Sequence, residues 1–152
     1  GYAIEDQAKV DLTVHCTEEG CLYDVRRGKA LGRRSHFSLT HTPGIAEVFS
    51  QLPYEVEGVD VLAVPSAAER GNTIRVKFVI RAKGEIGDHV LHVQVVDPDG
   101  KQRRAFQCNV TAFGGTVTYS LPVALNAQPG RWRVIAKDVA SGMVAETEIV
   151  IR

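Results

Sequence analysis

The sequence predicts an all-β protein built as two consecutive antiparallel β-sandwich modules, the second immunoglobulin-like with about seven strands. Three observations carry this. Val dominates the apolar residues, supported by Thr and Ile, whereas Met occurs once. β-branched side chains pack well on pleated surfaces and are mediocre in helices. Apolar and polar residues alternate in short runs, and Gly, Pro and Asp punctuate the runs at fairly regular intervals.

In the first part, Val10, Leu12 and Val14 alternate with Asp11, Thr13 and His15, which predicts a strand. Thr17-Glu18-Glu19-Gly20 reads as a turn, and Cys21-Leu22-Tyr23-Asp24-Val25 as a second strand. Arg26-Arg27-Gly28-Lys29 reads as a tight hairpin turn, with Gly28 supplying a positive φ. Phe37, Leu39 and His41 make another alternating run, stopped by Thr42-Pro43-Gly44. Residues 45–52 are ambiguous. Ile45, Val48, Phe49 and Leu52 fit a helical stripe, while Ala46, Val48, Ser50 and Leu52 fit a strand face equally well. Glu55-Val56-Glu57-Gly58 is polar, carries a Gly and reads as a boundary.

Beyond it the alternation is cleaner. Val59–Val64 is a first strand, closed by Pro65-Ser66. Ile74, Val76, Phe78 and Ile80 line a second, and Leu91, Val93 and Val95 a third. Asp97-Pro98-Asp99-Gly100 is a strong turn signal, because Pro presets φ and Gly takes the left-handed position. Phe106, Cys108 and Val110 line a fourth strand, and Gly114-Gly115 turns the chain. Val117, Tyr119 and Leu121 make a fifth. Trp132, Val134 and Ala136 make a sixth, after Gln128-Pro129-Gly130. A turn over 139–142 precedes a seventh, carried by Ala145, Thr147, Ile149 and Ile151. The expected modules are residues 1–57, small and sandwich-like, and residues 58–152, immunoglobulin-like. Roughly 50 residues are few for an independent core, so the first is expected to be incomplete or to borrow packing.

The 18 Lys and Arg balance the 18 Asp and Glu, which argues against a nucleic-acid partner. The longest apolar run is Val61–Val64, and a membrane span needs about 20 such residues, so none is expected. Gly1–Asp6 has no basic start and no apolar stretch of a signal peptide, and the chain reads as a piece of something longer.

No catalytic constellation stands out. Glu146 and Glu148 share a strand face but read as an exposed pair, with nothing to separate their acidities. His89 and His92, three apart on a strand, point to opposite faces and cannot share a metal. Neither a metal nor a cofactor is expected. Cys16 and Cys21 flank the turn at 17–20 and could face each other as a short disulfide; the competing reading is two reduced residues. Cys108 reads as a buried hydrophobe. Trp132 reads as core, with a sugar-stacking platform as the competing role, and Tyr119 has the same status. Tyr23 and Tyr54 are the candidate binding residues, since the first part looks too small to bury them. Arg26-Arg27 with Arg33-Arg34 reads as a solvated or interdomain basic hairpin, and Asn109-Val110-Thr111 is a glycosylation sequon.

Two stretches resemble known families. Val10–Val56, with Leu22-Tyr23-Asp24-Val25, Gly28-Lys29-Ala30-Leu31-Gly32, Thr42-Pro43-Gly44 and Leu52-Pro53-Tyr54, resembles the C-terminal accessory sandwich of large bacterial β-galactosidase-like glycoside hydrolases. Val117–Ile151, with Leu121-Pro122 and Pro129-Gly130-Arg131-Trp132, is similar to the last strands of macroglobulin-type and other immunoglobulin-like modules of secreted bacterial proteins. The resemblance implies a non-catalytic accessory region of a larger secreted protein, with other domains of the parent chain as partners and polysaccharide as a further candidate. A carbohydrate- or protein-binding module of adhesion type is the alternative.

Overall fold

In the stretch Thr73–Ala82, Ile74, Val76, Phe78 and Ile80 are buried while Thr73, Arg75 and Lys77 are exposed. Period-two alternation places one set of side chains on each face of a strand, so this pattern demands a sheet with one dry face. The computed structural model describes residues 9–152, so the opening stretch Gly1–Asp6 lies outside the described residues.

The strands run, in chain order, β1 Val10–Asp24, β2 Lys29–His41, β3 Phe49–Leu52, β4 Val56–Val64, β5 Ala67–Ala68, β6 Thr73–Ala82, β7 His89–Val96, β8 Cys108–Ala112, β9 Thr116–Pro122, β10 Gly130–Asp138 and β11 Val144–Ile151. They form a five-stranded sheet in the order β5-β11-β10-β7-β8, a three-stranded sheet β4-β6-β9, and a second three-stranded sheet β2-β1-β3. Every pairing is antiparallel except the short parallel contact of β5 with β11, a strand of two residues that no alternation announces.

The β4-β6-β9 and five-stranded sheets enclose the core. Ile74, Val76, Phe78 and Ile80 of β6 join Leu91, Val93 and Val95 of β7, Trp132, Val134 and Ala136 of β10, and Ile149 and Ile151 of β11 in one buried cluster. The chain is thus an all-β, immunoglobulin-like sandwich. Residues 10–52 make a single sheet with no second layer of its own, and they complete it by borrowing. Cys21 and Tyr23 of β1 belong to the same buried cluster as Val56 and Phe78.

Several local readings change. Thr17–Gly20 is not a turn: β1 runs straight through it. Between the pairs His15↔His36 and Gly20↔Arg34 the register slips, so the extra residues form a bulge in β1. Polar residues and a Gly suit a bulge as well as a turn. The ambiguous 45–52 segment is irregular to Val48 and then strand, because β1 offers Cys21–Asp24 as an edge for Phe49–Leu52. The polar stretch around Gly58 lies within β4, where a bulge separates Val56↔Ala82 from Gly58↔Arg81. A Cβ at Gly58 would meet only the guanidinium end of Arg81, a half-exposed side chain that can move aside. Phe106 falls in a 3₁₀ turn, Arg104–Phe106, and β8 starts only at Cys108.

Candidate functional site

Two polar residues break the core-facing phase of neighbouring strands at the same end of the sandwich. Asp138 continues the series Trp132, Val134, Ala136, and His89 begins the series that Leu91, Val93 and Val95 continue. The pairing Asp138↔Leu91 brings them together. His89 Nδ1 lies 2.8 Å from Asp138 Oδ1, with both side chains fully buried. Asp138 Oδ2 accepts from the backbone N–H of Ser141 at 3.0 Å and from its hydroxyl. On the far side of the imidazole, Nε2 lies 3.0 Å from the Tyr54 hydroxyl, which accepts from the Gly87 N–H at 2.7 Å.

The chain Gly87–Tyr54–His89–Asp138–Ser141 is therefore closed on itself. With the proton on Nδ1, His89 donates to the carboxylate and its Nε2 accepts from the phenol, so each buried group has a partner. Burial pushes the Asp138 pKa up, but hydrogen bonds from His89 and Ser141 outweigh it and hold the carboxyl below its ordinary value. Tyr23 goes the other way. Burial pushes its phenol above its ordinary value, while its oxygen accepts the Val56 N–H at 2.9 Å.

The order of groups decides what this network can do. Acyl transfer by a hydroxyl–imidazole–carboxylate relay needs the hydroxyl against the imidazole and facing a reactant. Here the Ser141 hydroxyl is on the carboxylate, and the group against the imidazole is a phenol only 8% exposed that is already hydrogen-bonded to Gly87. Such an arrangement clamps strand ends together.

The same corner receives the extra sheet. Ser50 of β3 donates its hydroxyl to the Ala140 carbonyl at 2.6 Å. The turn after β1 meets the turn after β10 so closely that a Cβ on Gly142 would stand 2.6 Å from the Gly28 Cα. Gly28 (φ +60) and Gly142 (φ +78) both lie in the left-handed region that favours Gly.

The predicted site residues are distributed accordingly. Tyr23 and Tyr54 are not surface aromatics: they are 2% and 8% exposed, because the sandwich supplies the volume that the first sheet lacks. Cys16 and Cys21 are both free. They sit on one continuous strand, so no hairpin turns them toward each other. Trp132 is core, 4% exposed, with its indole N–H on the Gln128 carbonyl at 2.9 Å. His92 faces away from His89, as the spacing requires, and bonds Asn109 and Gln107. Glu146 and Glu148 are exposed and pair with Arg133 and Arg131. In the basic hairpin, Arg27 pairs with Asp24 and Glu47, Arg26 donates to the Ala46 carbonyl, and Arg33 pairs with Glu19. Among the described residues no three His, Cys, Asp or Glu side chains gather as a metal site would need.

No family model matches the sequence, and no curated protein matches it. Solved structures do. The chain is similar to part of the native α-2-macroglobulin of E. coli, with a TM-score of 0.53 and 14% identity over 93% of this chain and 11% of that one. It is also similar to part of a Salmonella α-2-macroglobulin carrying the mutation Y1175G, with a TM-score of 0.51 and 17% identity over 98% of this chain and 11% of that one. The Yersinia pseudotuberculosis adhesin InvE aligns over 97% of this chain and 49% of its own, with 15% identity and a TM-score of 0.49. The chain thus spans about a tenth of the macroglobulins' length. At these identities the likeness shows fold alone. It agrees with the macroglobulin-type resemblance of Val117–Ile151 and gives no direct support to the β-galactosidase-like resemblance of Val10–Val56. What this chain and the matched parts of the two macroglobulins share is an all-β, immunoglobulin-like architecture.

Proposed function

We propose that this chain is a non-catalytic accessory region of a larger secreted bacterial protein of glycoside-hydrolase-like type, where it packs against neighbouring domains and holds their orientation. One observation carries the reading: the polar groups that could do chemistry are spent internally. Tyr54, His89, Asp138 and Ser141 satisfy one another, while Tyr23 and Trp132 are tied to backbone groups within the core. Buried groups without a free donor or acceptor have nothing to offer a substrate. They rigidify the joint between the first sheet and the sandwich, which is what a spacer needs. The balance of 18 cationic and 18 anionic residues suits contact with other domains of the same chain. No described helix is long and apolar enough to cross a membrane.

The test is made in the parent chain. Deleting this region should lower the unfolding midpoint of the adjoining domain, and the isolated region should not be retarded in gels cast with soluble polysaccharides. An adjoining domain unaffected by the deletion would overturn the reading. Retardation would favour a carbohydrate-binding module instead. Contact with a protein partner has its own support: Phe113, at the tip of the β8–β9 turn, and Leu125 are 72% and 80% exposed.

A further inference from the structure

The core is open at one end. Between the β7–β8 and β9–β10 connections lies a cavity of about 460 Å³. Its floor is made of core side chains from both sheets, with Trp132, Leu121, Val123 and Ile151 among them. Phe106 forms part of the wall, and Arg103 and Arg104, from the β7–β8 connection, complete the lining on that side. Small-molecule sites fall in this range of volume and combine an apolar lining with a few convergent polar groups.

The charges select the ligand. No acidic side chain lines the cavity. The face of Trp132, where a cationic ligand would rest, already carries the Arg103 guanidinium 5.8 Å from the ring centre. Arg103 is neutralised by Asp97, 2.7 Å away and fully buried. Arg104 is exposed and forms no ion pair among the described residues, so one uncompensated guanidinium remains beside an apolar floor. The geometry points to a binding pocket for a small amphipathic acid. Its aryl or alkyl body lies along the apolar lining beside Phe106 and Ala127, touching only the accessible edges of Trp132, Leu121 and Val123, and its carboxylate meets Arg104. Such a pocket would operate whether or not the chain serves as a spacer.

Trp132 is the only Trp in the chain, so its fluorescence reports on the cavity directly. The full chain is titrated with 4-phenylbutyrate and, separately, with 4-phenylbutan-1-ol. The acid should give a saturable change with half-saturation of order 1 mM, reasonable for about a dozen non-hydrogen atoms. The alcohol should bind about tenfold more weakly, since a charge-assisted hydrogen bond is lost. Arg104→Gln, at an exposed position, should weaken the acid about tenfold and leave the alcohol unchanged. Ala127→Leu, which narrows the cavity from its wall, should weaken both signals. Absence of a saturable change for the acid, equal binding of acid and alcohol, or an Arg104→Gln variant that binds the acid normally would each overturn the proposal. Because Arg104 is exposed, that variant decides the matter even where Ala127→Leu fails to fold.

Discussion

His89 Nδ1 lies 2.8 Å from Asp138 Oδ1, and neither side chain is exposed to solvent. The carboxylate is held below its ordinary value of 3.8 although its burial acts in the opposite direction. Asp24, against Arg27, is also held low: burial raises it, and hydrogen bonds from the Arg27 side chain and backbone overcome that. Together these two acids tie the joint between sheet and sandwich to pH.

A depressed folded value means that, as pH falls, the unfolded chain takes up the proton first. The contribution is complete above 3.8 and is lost as pH falls through the folded value. Urea midpoints should therefore drop as pH is lowered below about 4. Asp138→Asn should cost about 3 kcal/mol at neutral pH, by leaving a buried network half-satisfied. It should also flatten the acid slope while leaving the part due to Asp24. An acid slope equal in both proteins would contradict this.

Tyr54→Phe removes one oxygen and strands two partners, the Gly87 N–H and His89 Nε2. The expected loss is about 1–3 kcal/mol, the range for an unsatisfied buried polar group. Because Tyr54 and Asp138 act through the same imidazole, the double variant should fall short of the sum by about 0.5–3 kcal/mol. Additive losses in denaturant titration would show that the network is not one unit.

How much of this was readable beforehand varies from residue to residue. The sandwich strands were legible because each has one dry face, and period two is the direct trace of that: Ile74 to Ile80 and Leu91 to Val95 read as strands and are strands. The first sheet was harder. Gly20 to Asp24 are all buried, so alternation vanishes where both faces of β1 are covered. No local pattern marks the burial of Tyr23 and Tyr54, because it depends on a partner sheet distant in sequence. The His89–Asp138 pair left a usable signal, two polar residues in the core phase of two strands. Only the register of β7 on β10 turns that signal into a contact.

The three thiols should differ in reactivity. Cys21 is buried, whereas Cys16 and Cys108 are half-buried. Under native conditions a maleimide should modify Cys21 slowest, since the reagent must reach the sulfur. Mild oxidation should give no Cys16–Cys21 bridge, because a disulfide needs Cα atoms within about 7 Å and these two residues sit apart along one strand. Peptide mapping that recovered such a bridge would show that the bulge at 16–19 can fold back on itself.

Gly142→Ala should release the first sheet from the sandwich. Two effects act there. The left-handed φ of +78 strains any residue with a Cβ by about 1–3 kcal/mol, and the added carbon would stand 2.6 Å from the Gly28 Cα. Gly100→Ala isolates the first effect, since its φ is +76 and nothing lies within 4 Å. Both variants should lose stability, Gly142→Ala by clearly more. Only Gly142→Ala should also speed proteolysis within residues 25–48, because the Gly28–Gly142 approach and the Ser50 bond to Ala140 share that corner. Amide protection in β6, β7 and β10 should persist, as their core clusters do not depend on the turn. Equal proteolysis of the two variants would mean that the turn-to-turn contact does not hold the sheet in place.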